Sequence, residues 1–304
     1  MQNNLWLQTS QVFKAQVIGK LLGDGSIVKE GNKKPRFKIN HVASDYEWIF
    51  YNYLQLRTFL PLNRPVYRKV PDVRLKKGFS ECYYCQSKTS ESISYLYHVW
   101  YPNRKKKVPY NQLEKYFNIE SLAWWYMDDG HLKKENNIPR KIILSTESFT
   151  EQENAWLIEF LYRKYNLSFK TDQQNRLLLY DQFQIHYFLY LITPYLHHSM
   201  YSKILLYCNL HQHKSKKRTT IYLPITIEIT SPTKEINEAL ANLNSTVQTF
   251  KQERFYKQSS TFYQEEMKSY QITIDENYLS ELEFLSSNTG LTYSNLAQIC
   301  FLLR

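Results

Sequence analysis

One pattern occurs twice in this chain. Residues 17–25 read VIGKLLGDG and residues 122–130 read LAWWYMDDG. Each is an apolar run of helical length that ends in Asp-Gly, and an internal repeat constrains a fold more tightly than any single motif. The match continues downstream. Ser44-Asp45-Tyr46-Glu47 opens an apolar-periodic segment to Phe59, and Thr150-Glu151-Gln152-Glu153 opens another to Tyr165. Both carry Ser or Thr with Glu three residues on, the box that opens helices. Asp24 precedes Ser44 by 20 residues and Asp129 precedes Thr150 by 21.

Between the helices lie strand-like stretches. In residues 36–40, Phe37 and Ile39 share one face while Arg36, Lys38 and Asn40 share the other, the alternation of a half-buried strand. Residues 140–146 stand at the equivalent place in the second half. Further strands are expected at 66–70, 73–76, 81–88, 92–100, 167–172 and 176–180. Helices are expected at 10–22, 109–117, 120–127 and 182–192, with a short piece after Pro194. The implied unit is αββαββα used twice. This is an α+β fold with two pseudo-symmetric halves, 1–107 and 108–206, built on antiparallel sheets.

An aspartate at a helix C-terminus faces the negative end of the helix dipole, so it calls for a compensating cation. If the two apolar helices pack side by side, Asp24 and Asp129 meet at their ends. Paired carboxylates hold a hard divalent cation such as Mg²⁺, which can activate water and stabilise a leaving oxygen in phosphodiester cleavage. The plainer alternative is two ordinary helix ends with Asp in the following turn. It suits one motif better than a matched pair. Gly25 and Gly130 are expected in the left-handed turn that follows a helix.

Charge and composition agree with a polyanion as partner. Lys and Arg number 39 against 28 Asp and Glu, a net charge of +11, although a basic balance alone defines no partner. No apolar run reaches membrane-spanning length, and the first segment does not read as a secretory signal. The expectation is a protein with no membrane partner that is not secreted, resident in a bacterial or phage-infected cytoplasm or an organellar matrix. Four cysteines make no disulfide framework. Cys82-Tyr83-Tyr84-Cys85 lacks a second pair at zinc spacing and reads as strand.

VIGKLLGDG and SLAWWYMDDG, with KIILSTESFT and the later PYLHHSMYSK, resemble the single-chain, two-motif LAGLIDADG homing endonucleases. They are most similar to the branch encoded in yeast mitochondrial introns and its bacterial relatives. The resemblance covers about residues 10–205. It implies that the motif helices pack at a pseudo-twofold axis and that two four-stranded saddles lie in the DNA major groove. It also implies that Asp24 and Asp129 bind Mg²⁺ (or Mn²⁺), helped by the carbonyls of Gly23 and Asp128. Near each scissile phosphate it implies a basic residue: Lys106, with Lys107 as close competitor, and Lys203. The implied activity is hydrolysis of one phosphodiester on each strand of a long pseudo-symmetric duplex site, leaving short 3′ overhangs. Lys20 departs from the family's apolar preference in the first motif helix.

The saddle strands should carry a core face and a DNA face. Arg36, Lys38, Asn40, Arg68, Arg74 and Lys76 are candidates in the first half. Lys107, Lys133, Arg140, Lys141 and Lys170 are candidates in the linker and second half. Arg can bond guanine edges and Asn adenine, while phosphate contacts would give affinity without sequence reading.

After about Leu206 the resemblance fades. Residues 207–264 read as a basic joint (HQHKSKKR) followed by a linker region, with strand character at 219–229 and a helix near 234–243. Residues 265–304 resemble a ribbon-helix-helix motif: Ile272 and Ile274 alternate in a strand, Asp275 opens a helix, Gly290 ends it, and another helix follows. Gln271 and Thr273 would face DNA, and self-association through this strand is expected of an otherwise monomeric core. KRTTIYLP at 217–224 resembles the opening of such a motif too, but TIEITSP interrupts the helix that should follow.

Two other function classes use the same features. One is an intron RNA maturase on the same fold. The other is a non-catalytic DNA-binding regulator, which retention of both Asp and both Lys disfavours. An intein is disfavoured by the Met start and the Leu-Leu-Arg end.

Overall fold

The computed structural model describes residues 5–136, 138–204, 217–250, 252, 255 and 266–302. The first half runs α1 (Leu5–Gln8), α2 (Gln11–Leu22), β1 (Ser26–Val28), β2 (Arg36–Val42), α3 (Tyr46–Leu56), β3 (Val66–Pro71), β4 (Phe79–Gln86) and α4 (Glu91–Trp100). The second runs α5 (Tyr110–Tyr116), α6 (Ile119–Asp129), β5 (Gly130–Glu135), β6 (Ile138–Leu144), α7 (Glu151–Tyr165), β7 (Lys170–Thr171), β8 (Leu177–Leu179) and α8 (Gln182–Ile192). From α2 and from α6 the order is αββαββα both times. The two four-stranded antiparallel sheets also share one topology, β1-β2-β4-β3 and β5-β6-β8-β7.

The motif helices α2 and α6 pack against each other at the centre. Val17, Ile18 and Leu21 on one, and Leu122, Ala123, Trp125 and Tyr126 on the other, are fully buried. Small residues set the closeness of approach. A Cβ at Gly23 would stand 2.6 Å from Asp128 Cβ, and one at Gly19 would stand 2.6 Å from Trp124 Cβ. Ser10 starts α2 by accepting from the Phe13 amide, and Asn118 starts α6 through a reciprocal box with Ser121.

Several expected elements differ. Residues 92–100 form helix α4, not a strand. Ile93, Leu96, Tyr97 and Trp100 are buried at i, i+3, i+4 and i+7, and that period outranks the β-propensity of the segment. Residues 73–76 form a turn between β3 and β4. Strand pairing covers only Lys170–Thr171 of residues 167–172. The box at Thr150 and Glu153 is present, but Ser44 does not cap α3. A single 3₁₀ turn, Ala43–Asp45, intervenes, and the Ser44 hydroxyl donates to Asp45 instead.

The third part contains β9 (Lys217–Pro224), α9 (Pro232–Leu240), α10 (Leu243–Thr249), β10 (Met267–Ile274), α11 (Glu276–Thr289) and α12 (Tyr293–Leu302). β9 and β10 pair antiparallel over eight residues each. The segment read as joint and linker therefore supplies half of a two-stranded sheet, and the strand expected to self-associate finds its partner within the chain. The interrupted helix after KRTTIYLP is displaced to Pro232 rather than absent. Most of HQHKSKKR and the later linker fall outside the described residues.

Candidate active site between the motif helices

α2 ends at Leu22, and Asp24 follows its Gly23 cap; α6 runs through Asp129. Gly25 and Gly130 are not left-handed, since the glycines with positive φ among the described residues are Gly31, Gly78 and Gly290. They are small for another reason. A Cβ at Gly25 would stand 2.5 Å from the Lys20 carbonyl oxygen, and one at Gly130 would overlap the Tyr126 ring.

Three carboxylates and three lysines gather at these helix ends. Burial, reinforced by the neighbouring Asp24 and Asp128, raises the Asp129 carboxyl to about 7. Burial and Asp128 raise Asp24 to about 6. Two crowded carboxyls that resist ionising fit a divalent cation, which would relieve the cost. Lys106 Nζ donates to the carbonyls of Gly23 and Gly25, both at 3.2 Å. Lys203 Nζ donates to those of Met127 at 2.6 Å and Asp128 at 3.2 Å. Each lysine thus caps the C-terminal carbonyls of one motif helix. Burial lowers both ammonium groups, Lys106 to about 8. Lys107 is exposed and does not enter the site. The Thr150 box contributes here as well, because Glu153 Oε1 accepts from the Val108 amide at 2.8 Å and anchors the strap carrying Lys106.

Asp128 does not lie open as a third ligand side chain. Its Oδ1 accepts from Lys20 Nζ at 2.6 Å and from Trp48 Nε1 at 2.8 Å. Its Oδ2 accepts from the Asp24 amide at 3.1 Å. The Lys20 and Asp128 side chains are both 0% exposed. Lys20, the departure from an apolar motif position, is the counter-ion of a buried aspartate on the other motif helix.

His41 joins this network, and the sequence reading missed it. Its Nε2 lies 3.2 Å from Lys20 Nζ and its Nδ1 lies 3.4 Å from Asp24 Oδ2. Burial and the adjacent Lys20 hold the imidazole down to about 3, so the ring is neutral. Neutral Nε2 then accepts from the ammonium and Nδ1–H faces Asp24. Asp24, His41 and Asp128 each offer a ligand atom within 4.8 Å of the others. Extending the alternation of 36–40 by one residue would have exposed the signal: a histidine on the apolar face of β2.

The first sheet gathers Arg36, Lys38 and Asn40 of β2 on one face with Tyr84 and Gln86 of β4 and Arg68 of β3. Arg68 stacks over Tyr84 at 3.8 Å. Tyr84 and Gln86 were not singled out by sequence, because β4 lacks clean alternation. Arg74 and Lys76 sit in the turn instead, and Arg74 pairs with Asp72 at 2.8 Å. In the second sheet Lys133 opposes Lys141, and Lys170 shares their face through Leu178 and Ile143. Arg140 is the extra residue at the register shift opposite Lys133 and Lys134, so alternation does not fix its face; it is exposed and bonds Glu135 at 3.1 Å. Cys82 and Cys85 are strand residues three apart and point to opposite faces, with Cys85 buried, so they cannot share an ion.

This fold and site define a class. Residues 14–188 match the LAGLIDADG DNA endonuclease family, more than half of the chain, and the chain belongs to that family. The chain is 26% identical to a probable intron-encoded endonuclease of Wickerhamomyces canadensis, over 66% of this chain and 87% of the relative. It is 27% identical to the cytochrome b mRNA maturase bI2 of Debaryomyces hansenii, over 61% of this chain and 71% of the relative. The fold is shared with the homing endonuclease I-WcaI bound to its DNA recognition sequence (TM-score 0.55, 23% identity), over 64% of this chain and 87% of that one. The protein is a DNA endonuclease of the two-motif kind. No helix among the described residues is long and apolar enough to cross a membrane.

The raised carboxyls give a pH prediction. Folded Asp24 and Asp129 keep protons up to about pH 6 and 7, whereas unfolded they lose them near 3.9. Without divalent cation, their contribution to stability therefore falls as pH rises through that window. His41 acts oppositely, so the effect is read as a difference. In EDTA, Asp24→Asn/Asp129→Asn should gain on wild type from pH 4 to pH 8, by about 1–2 kcal/mol after allowance for solvent screening. Mg²⁺ should reverse the order. A difference independent of pH in thermal melts would count against the crowding of these carboxyls.

Proposed function

We propose that this chain is a site-specific homing endonuclease that cuts both strands of a long, pseudo-symmetric DNA duplex. The observation that carries the reading is the meeting of Asp24 and Asp129 at paired helix ends, each flanked by a lysine, between two sheets of one topology. In this reading Arg36, Lys38, Asn40, Arg68, Lys133, Lys141 and Lys170 face the duplex, and Lys107 contacts it from the linker. Asp24 and Asp129, with the carbonyls of Gly23 and Asp128, would hold Mg²⁺ or Mn²⁺. The ion, when bound, supplies water activation and charge stabilisation at the leaving oxygen.

The chain's own residues do the rest. Lys106 and Lys203 hold positive charge beside each motif end, where it can meet charge developing on a scissile phosphate. His41 and the Asp128 side chain fix the position of Asp24. The proposed halves are 1–107 and 108–206, acting as a monomer in the cytoplasm or an organellar matrix.

A maturase role has its own support in the maturase relative, since the same basic saddles can accept structured RNA. The test separates the two. Incubation with a randomised duplex library in Mg²⁺ should yield double-strand breaks within one recurrent sequence, and EDTA should abolish them. Restored splicing of a host intron without any duplex cutting would favour the maturase.

A further inference from the structure

The β9–β10 ribbon lies outside the motif helices and saddles, and beyond the family match. Residues directly opposite in an antiparallel pair share a face. Ile221 and Leu223 of β9 share one with Tyr270, Ile272 and Ile274 of β10, and all five are buried. Helices cover that side: α12, the second helix after β10, packs on β9, and α9, the first helix after β9, packs on β10. Among the described residues strand–helix–helix thus occurs twice in one chain, joined by its strands.

The other face is open. It presents Arg218, Thr220 and Tyr222 from β9 and Ser269 and Gln271 from β10, all exposed. Arg218 Nη2 donates to Gln271 Oε1 at 3.1 Å across the strands. The face therefore offers a guanidinium, a carboxamide and three hydroxyls. Neither strand contains an acidic residue, and Lys217 and Lys268 lie at its ends. A sheet kept only for packing gains nothing from an open face of aligned hydrogen-bonding groups without a carboxylate.

We propose that this ribbon is a second DNA-reading surface, which enters the major groove of duplex DNA beside the site held by the saddles. A two-stranded ribbon fits the width of that groove, Arg matches the guanine edge and Gln the adenine edge. The deep, narrow major groove of A-form RNA does not admit it. The ribbon is also fixed in place. α11 packs on α8 of the second half, and Gly290, at φ 72°, lies where a Cβ would come within 2.5 Å of the Gln182 carbonyl oxygen. The extra contact should therefore extend the recognised sequence on one side only. This goes beyond the cleavage reading and needs no bound metal.

The test uses the full chain. In EDTA, wild type and Arg218→Ala/Gln271→Ala are each selected against a randomised duplex library. Wild type should return the saddle-bound block plus a separate block of preferred bases on one flank. The variant should lose the flanking block, keep the first, and bind the full wild-type sequence about tenfold more weakly or worse. Arg218→Glu should weaken it further, and both substitutions are at exposed positions that leave the core intact. Loss of cleavage with the flanking block retained would sink the endonuclease reading and leave this one standing. Identical blocks and affinities for wild type and variant would overturn the ribbon's role, as would a ribbon-dependent preference for RNA.

Discussion

Asp24→Asn or Asp129→Asn should abolish duplex cleavage while leaving DNA affinity within about tenfold, or ~1.4 kcal/mol. The substitution keeps the volume and an acceptor oxygen but removes the charge that would hold a cation. The Asn side chain can still face His41 Nδ1–H, which lies 3.4 Å from Asp24 Oδ2. The basic face of the first sheet is carried by β2, β3 and β4, not by the motif helices, so binding should survive. Folding should survive too, because each aspartate is held in protonation conflict with its neighbours. Thermal melts of the same preparations separate lost activity from lost folding. Single-turnover cutting and gel-shift titration, done on the same preparations, give the two numbers. Full cutting by either variant would remove that aspartate from the proposed metal site.

The site was legible in the sequence where it depends on local order. Two Asp-Gly helix ends, a matched spacing and one working capping box carry the repeat, and the structure brings Asp24, Asp129, Lys106 and Lys203 to one place. Choosing Lys106 over Lys107 was not legible, since it depends on how the strap before α5 is held by Glu153, 45 positions away. His41 and the role of Asp128 were hidden for the same reason. Their partners lie on other elements, and a polar residue on an apolar face carries no sign of what satisfies it. Helix α4 was misread because Ile93, Tyr95, Tyr97 and Val99 also satisfy a period of two. The ribbon was half legible: each strand could be seen, but their pairing joins residues about 50 apart, across a segment read as a helix near 234–243 and a polar linker.

The buried Lys20–Asp128 pair should be worth more broken than replaced. Both side chains are fully removed from water, so neither charge is solvated if its partner goes. Lys20→Met leaves Asp128 with only the Trp48 and Asp24 donors. Asp128→Asn leaves the Lys20 ammonium facing a neutral His41. Each single change should cost about 3–5 kcal/mol in chemical denaturation, the range for an orphaned buried charge. The double variant Lys20→Met/Asp128→Asn should recover most of that loss. It buries no charge, and the Asn carboxamide oxygen can still accept a hydrogen bond from Trp48 or from the Asp24 amide. Such recovery would also separate two reasons for keeping the pair. If the double variant folds but cuts slowly at unchanged DNA affinity, the pair serves to position Asp24 through its amide and His41. Single losses below about 1 kcal/mol that simply add in the double would show that the two charges are not coupled, and Lys20 would then be no more than a tolerated departure from an apolar helix face.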